Sequence, residues 1–291
     1  MSSISVEEVR NRAAQLVLDA SCGFPEDKKR CYERYISAES NERTKWVMEQ
    51  ILENASASAE LQGPLCDDTG IPHLVLEIGP GQSVSCDVIQ AVLDGVYDGL
   101  NELPGRPMAV RGDDWQRLQQ SEGMFEDPGM LEPAPLLFRK ISEPVVRLHL
   151  LMQGGGPAIR GKTLRVFHRH DAQVVLDEIV CWAKEAVPAL GCSPCVLAVG
   201  VGRSNYEATA MMTYAQIDAD FDTQSDMERY ITEQVNGIGA GALGLGGDTS
   251  VLATFMKVGP ARASGVRVVC LRPCCCFEPR HASVLLSGEE L

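Results

Sequence analysis

An α+β fold is predicted, with an N-terminal helical region followed by mixed or antiparallel sheets flanked by helices and a reactive site built on loops. Three observations carry this. The first sixty residues hold three stretches with apolar residues at helical spacing. Beyond them, short β-branched and aliphatic runs alternate with longer amphipathic patterns. Cys66, Cys192 with Cys195, and the triplet Cys274 to Cys276 all fall in turns punctuated by glycine or proline.

Taken in order, Ser5 and Glu8 stand at capping-box spacing, and Val9, Ala13, Leu16 and Val17 follow on one helical face. A second helix is predicted over 26–36. A third starts near Asn41 and carries Trp46, Val47, Ile51 and Leu52. Cys22 and Cys31 read as small structural residues of this region. After the turn at 63–70, residues 73–79 read as a strand. Asp87 opens a helix through Val88, Val92, Val96 and Leu100, which Pro104-Gly105 ends. Residues 110–135 are polar and broken by Pro and Gly, a long loop or a helix between loops.

A strand over 145–152 runs into Gln153-Gly154-Gly155-Gly156-Pro157. Three glycines after a strand let backbone approach an anion closely, with a flexible turn as the plain alternative. A helix over 172–186 would bury Cys181. Then come a strand over 196–201, a helix capped by Asn205, a helix over 225–235, the glycine-rich segment 237–247, an apolar run at 251–255 and a strand over 266–271. The chain reads as one domain over 1–291, its residues 1–60 forming the helical region, without repeat, low-complexity tract or linker.

A formal net charge of -14 sets the global field against nucleic acid and anionic membrane as partners. An anionic substrate then needs a local cluster of arginines. No apolar run is long enough to span a bilayer, and the N-terminal residues have no secretory pattern, so the cytoplasm is expected. Eleven cysteines, an odd number, do not read as a disulfide framework in that setting. Those beside turn residues are candidates for holding metal.

Gly63-Pro64-Leu65-Cys66-Asp67-Asp68-Thr69-Gly70 puts a soft thiolate beside hard acid/base groups on an ordered turn. Sulfur could hold a metal there while a carboxylate moves a proton; a surface turn with a buried thiol is the bland alternative. Residues 239–244 spell GxGxxG, but after a helix and before a strand. The dinucleotide fingerprint needs the opposite order, because pyrophosphate sits on the N-terminus of the following helix. Cys192 and Cys195 with the C-terminal triplet would allow a zinc ribbon, yet a contiguous triplet is not a spaced pair. A redox CxxC begins a helix, whereas this one enters a strand. One cysteine from each of the three turns makes three thiolates, one short of the set that a 4Fe–4S cluster takes in electron carriers. Its last iron would be an open Lewis-acid position.

Five ordered motifs carry a resemblance. Pro64-Leu65-Cys66-Asp67-Asp68-Thr69-Gly70 is similar to P-x-C-Q-D-T-G of the alpha subunits of class I fumarate hydratases and L(+)-tartrate dehydratases. Gly154-Gly155-Gly156 matches their triple glycine, with Ile159-Arg160-Gly161 closer to the tartrate enzymes. Cys192-Ser193-Pro194 with the strand ending Val199-Gly200-Val201-Gly202 resembles C-P-P-x-x-x-G-V-G-I-G. Gly237-Ile238-Gly239 with Leu245-Gly246-Gly247-Asp248-Thr249-Ser250 resembles G-I-G-P-x-G-L-G-G-x-T, and Cys276-Phe277-Glu278-Pro279-Arg280-His281-Ala282 resembles C-W-A-x-R-R-A.

The resemblance implies a hydro-lyase acting on a small dicarboxylate through a 4Fe–4S cluster held by Cys66, Cys192 and Cys276. Counting back from Arg280 favours Cys276, with Cys274 the alternative third ligand. Asp68 would be the acid/base group, while Asp67, Arg106, Gly154 and Gly155 would bind substrate. A separate beta subunit, in a heterotetramer, would supply the opposing threonine and further arginines. Asp67 in place of glutamine, Gln153 in place of lysine, Ser193 within Cys-Pro-Pro and His281 in place of arginine depart from the pattern. A zinc-binding structural protein and an electron-transfer or sensor protein with four thiolates are the alternatives.

Overall fold

The computed structural model describes residues 4–287. The chain begins with α1 (Val6–Cys22), α2 (Glu26–Ala38) and α3 (Glu42–Leu61), followed by β1 (Ile71–Ile78), α4 (Cys86–Glu102) and the short α5 (Asp114–Gln119). Next are β2 (Leu137–Lys140), β3 (Val146–Gln153), α6 (Gly155–Arg160), β4 (Lys162–Phe167) and α7 (Ala172–Leu190). It continues with β5 (Cys195–Gly202), α8 (Asn205–Ile217), α9 (Asp226–Asn236), β6 (Val251–Val258), β7 (Val266–Cys274) and β8 (Arg280–Ser287). Helices first, then mixed sheets flanked by helices, is the predicted α+β class. No described helix is long and apolar enough to cross a membrane.

Capping chemistry sets the helix starts. Ser5 accepts from the Glu8 N–H, and Asn41 accepts from the N–H groups of Arg43 and Thr44. Two starts differ from expectation by one or two residues. Ser85, before Asp87, caps α4, and Ser204, before Asn205, caps α8. Residues 110–135 resolve into α5, with an Asp113/Gln116 capping box, a single bridge between Val110 and Met124, and a 3₁₀ turn at Pro128–Met130.

The chain forms two compact units. Among the described residues, one contains 4–23, 57–154 and 280–287; the other contains 24–56 and 155–279. In the first, the sheet order is β2-β1-β3-β8, with β1 and β2 parallel and the other pairs antiparallel. Leu74, Leu76, Leu148, Leu150 and Met152 form one face of it and bury against α1 and α4. Gly95 and Gly99 of α4 let the two helices meet: a Cβ on Gly99 would lie 2.5 Å from the Ala14 carbonyl oxygen.

The opposite sheet face is charged. Glu77, its side chain 2% exposed, takes ion pairs from its register partners Arg139 on β2 and Arg147 on β3, and His149 Nε2 lies 3.1 Å away. Burial alone would raise the Glu77 carboxyl, but Arg139 and His149 outweigh it and hold it below its ordinary 4.5. Burial also lowers the His149 ring, so the arginines supply the pairing charge. Glu77 therefore stabilises the fold above about pH 4.5, and that contribution is lost as pH falls through the lower folded value. Glu77→Gln is expected to cost about 3 kcal/mol by stranding two half-buried arginines. It should also flatten the acid limb of stability against pH, both read by denaturant unfolding between pH 3 and 7.

In the second unit the sheet order is β4-β7-β5-β6, with β5 and β6 parallel and the other pairs antiparallel. Both faces are covered. Val196 and Ala198 of β5 pack with α8 and α2, while Cys195, Leu197, Val199 and Val201 pack with α7 and α9. That is why β5 reads as an unbroken apolar run, not an alternation. Cys22 and Cys31 are buried as expected. Cys181 is not: Leu176, Ile179, Val180, Ala183 and Val187 form the buried stripe of α7, and 181 turns away from it to solvent.

Candidate functional site

In the first unit the Cys66 turn follows α3. The Leu65 N–H donates to the Ser21 carbonyl (3.0 Å), pinning the entry, and Gly70 leaves it at φ +82°. A Cβ at Gly70 would lie 2.4 Å from Arg280 Nη2 and 3.1 Å from the Gln153 carbonyl, so only glycine fits. The Asp68 carboxylate accepts the Gly70 N–H (3.1 Å), an Asx turn that orients it.

Arg280, 2% exposed, donates from Nη1 to the Asp68 carbonyl (2.9 Å) and from Nε to the Met152 carbonyl (3.2 Å), tying the turn to the end of β3. Thr69 Oγ1 donates to the Arg106 carbonyl (3.1 Å), which brings the Arg106 loop to the same place. Arg106 Nη1 stands 3.9 Å from Asp67 Oδ2, with both side chains mostly exposed. So exposed and long a pair is weak and leaves the guanidinium available. Cys66 is half-buried, its sulfur 3.6 Å from Asp67 Oδ1. Cys66, Asp67, Asp68, Arg106 and the buried Arg280 thus form one constellation. Gly154 follows the last residue of β3, and Gly155, in the second unit, opens α6.

In the second unit Gly191 ends α7 at φ +84° and the chain turns through exposed Cys192. Ser193, where the resembling pattern has proline, is buried and donates to the Gly241 carbonyl (2.8 Å), while its own carbonyl accepts from the Leu243 N–H (3.0 Å). The glycine-rich segment is therefore a brace under the Cys192 turn. Thr44 holds it through the Gly246 carbonyl and the Ala242 N–H, and Glu39 accepts from the N–H groups of Asp248 and Thr249. Gly241 and Gly247 have no room for a Cβ against Gly246 and Glu39.

The C-terminal cysteine turn docks on that of Cys192: the Cys276 N–H donates to the Cys192 carbonyl (3.0 Å). Tyr32 Oη donates to the Cys276 carbonyl (2.9 Å) and Lys28 Nζ to the Glu278 carbonyl (2.8 Å). Glu278, fully buried, pairs with Arg272 at 3.0 and 3.2 Å. Burial lowers the Lys28 ammonium to about 8, against an upward pull from Cys275, Cys276 and Cys274. The hydrogen bond with Cys275, and then burial, push the Cys276 thiol well up.

Cys274 ends β7 at zero exposure, its thiol within reach of Gln216 Oε1 (3.6 Å), and burial raises it far above the usual thiol range. Cys195 opens β5 inside the core and is raised likewise. The CxxC pair is thus split between interior and surface, and the triplet offers its turn residues, not Cys274.

Among the described residues no three of His, Cys, Asp and Glu gather closely enough to hold one metal ion. A 4Fe–4S cluster makes no such demand, because each thiolate binds a different iron. Thiols on turns are the donor type that such a group takes. In the second unit Cys192 and Cys276 sit on turns joined by a backbone hydrogen bond, with Cys195 and Cys274 sealed in the core; in the first, Cys66 is half-buried beside carboxylates.

Two residues of this architecture have roles that the sequence alone does not show. Arg280 stands there only as a motif position. Lys28 lies in Glu26-Asp27-Lys28-Lys29-Arg30, which looks like a solvated helix start.

Against known proteins, residues 10–285 match the fumarate hydratase (Fumerase) family. A chain of Methanocaldococcus jannaschii named "Putative L(+)-tartrate dehydratase subunit alpha" is 25% identical over 286 residues, covering 94% of this chain and 96% of that one. A "Putative fumarate hydratase class I" of Geobacillus stearothermophilus is 23% identical over 278 residues, covering 87% of this chain and 50% of that one, so this chain spans half its length. The chain belongs to the fumarate hydratase (Fumerase) family, a family of hydro-lyases.

Proposed function

We propose that this chain is the alpha subunit of a cytoplasmic hydro-lyase that adds water to, or removes it from, a small dicarboxylate of the fumarate/malate or tartrate/oxaloacetate type. Cys66, Cys192 and Cys276 would hold a 4Fe–4S cluster in a single catalytic domain. The observation that carries this reading is the docking of the Cys276 turn on Cys192, with Cys195 and Cys274 sealed in the core. That leaves three turns, those of Cys66, of Cys192 and of Cys275 with Cys276, and one thiolate from each makes three where a four-thiolate zinc or electron-transfer site needs four.

When bound, such a group supplies an open Lewis-acid position that polarises the substrate hydroxyl without changing oxidation state. The chain's own residues do the rest. Asp68, oriented by the Gly70 N–H, exchanges a proton with the substrate. Arg106, only loosely engaged by Asp67, grips a carboxylate, helped by backbone at Gly154 and Gly155. Asp67 tunes that grip by competing for the guanidinium.

A relative named as a separate alpha subunit aligns end to end, and a single-chain relative is matched over only half its length. Both facts support a beta-type partner, in a heterotetramer, that completes the site. Anaerobic co-purification with that partner, followed by hydration and dehydration assays on a dicarboxylate panel, tests the proposal. Turnover is expected from the complex and none from this chain alone; a catalytically competent isolated chain would refute the need for a partner.

A further inference from the structure

We propose that Lys28 is the buried counter-charge of the cysteine turn, an ammonium held behind Cys276 to balance the negative charge that thiolate ligation brings there. The proposal rests on the cluster reading above. Lys28 is fully buried, although it sits in the first turn of a strongly polar helix. Its Nζ donates to the Glu278 carbonyl (2.8 Å) and lies over the rings of Phe24 (5.0 Å) and Phe221 (5.7 Å). No carboxylate among the described residues lies within ion-pair distance of it.

Two neighbouring acids are committed elsewhere. Glu278 pairs with Arg272, and Asp27 accepts the backbone N–H groups of Lys28 (2.8 Å) and Phe221 (3.0 Å). Arg272 and Glu278 pair with each other, so Lys28 is left with a backbone carbonyl and two rings, not a carboxylate, around its ammonium. An unbalanced buried charge is expensive, and structures retain one where an anion meets it.

The turn that Lys28 holds through the Glu278 carbonyl and Tyr32 through the Cys276 carbonyl carries the thiols of Cys275 and Cys276, whereas Cys274 is engaged with Gln216 inside the core. Metal ligation fixes a cysteine as thiolate. Lys28 is therefore balanced when the site is loaded and uncompensated when it is empty. One turn further along α2, Tyr32 holds the Cys276 carbonyl, so one helix face fixes both the charge and the backbone of the turn. Lys28 is a positioning residue in this account, since it acts on the site through Cys276.

The two roles, counter-charge and structural peg, differ in sign. With Lys28→Met the empty chain should melt at the same or a higher temperature, because an unbalanced charge has been replaced by an apolar chain of similar length. The anaerobically reconstituted chain should lose iron to a chelator roughly tenfold faster, and its cluster should titrate at a lower potential by electron paramagnetic resonance, as loss of a nearby cation demands. Lys28→Arg should restore both readings toward wild type. Tyr32→Phe, which removes a backbone tie and no charge, should leave the potential in place. A Lys28→Met chain that fails to fold, melts lower when empty, or keeps the wild-type potential overturns the proposal, as does an arginine variant that behaves like methionine. A wild-type chain that takes up no iron or sulfide defeats the cluster reading itself, and the proposal with it.

Discussion

Cys276→Ser is expected to cut acid-labile sulfide and iron in the anaerobically purified chain to roughly a tenth of wild type or less, because a serine hydroxyl does not ionise to replace a thiolate ligand. Cys66→Ser and Cys192→Ser should do the same. Cys274→Ser should behave differently: its thiol is sealed at the end of β7 against Gln216. The hydroxyl then costs stability, about 1–3 kcal/mol for a polar group without a good partner, while iron content stays as it was. Cys22→Ser and Cys181→Ser should also keep their iron, the first being core and the second exposed on α7. The measurement is iron and sulfide per chain beside a denaturant melt. Iron lost from the Cys274 variant and kept by the Cys276 variant would reverse the ligand assignment.

Asp68→Asn, assayed in the complex with the beta-type partner, should lower kcat by roughly 10²–10⁴-fold, the range that a positioned acid/base group supplies. The turn itself should survive, which makes the result readable. An asparagine Oδ1 still accepts the Gly70 N–H, and Arg280 holds the Asp68 backbone carbonyl, not its carboxylate. Iron content and melting temperature should therefore match wild type. A variant with unchanged kcat would remove Asp68 from the reaction, whereas lost iron would make it a structural residue of the Cys66 turn.

Much of the fold was legible before any coordinates. Period and capping located every helix of ten or more residues, because an amphipathic stripe and a hydroxyl or carboxylate cap are local features. The strands β2, β4 and β8 and the short helices α5 and α6 were not read. β2 has four residues, and β4 and β8 lie at sheet edges, where neighbours across the sheet decide pairing. The rejected nucleotide loop follows the same logic in reverse. Residues 239–244 come after α9 and lead toward β6; Gly241 among them lets Thr44 and the Gly246 backbone close in, and its carbonyl accepts from Ser193.

At the candidate site, residue types and spacing singled out the three turns and Asp68 as candidates, since thiols and carboxylates bracketed by Gly and Pro announce themselves locally. Packing separates residues that spacing leaves alike. Cys274 and Cys276 are two positions apart and both buried, yet one ends a strand and the other stands on the turn that meets Cys192. Arg280 and Lys28 became visible only through partners 212 and 250 positions away in sequence. The linear chain by itself determined the chemistry on offer, cysteines, an aspartate and an arginine in ordered motifs. Tertiary packing alone decided which thiol is sealed, which carbonyl Arg280 holds and that the Lys28 side chain is buried, because burial depends on neighbours that sequence order does not bring together.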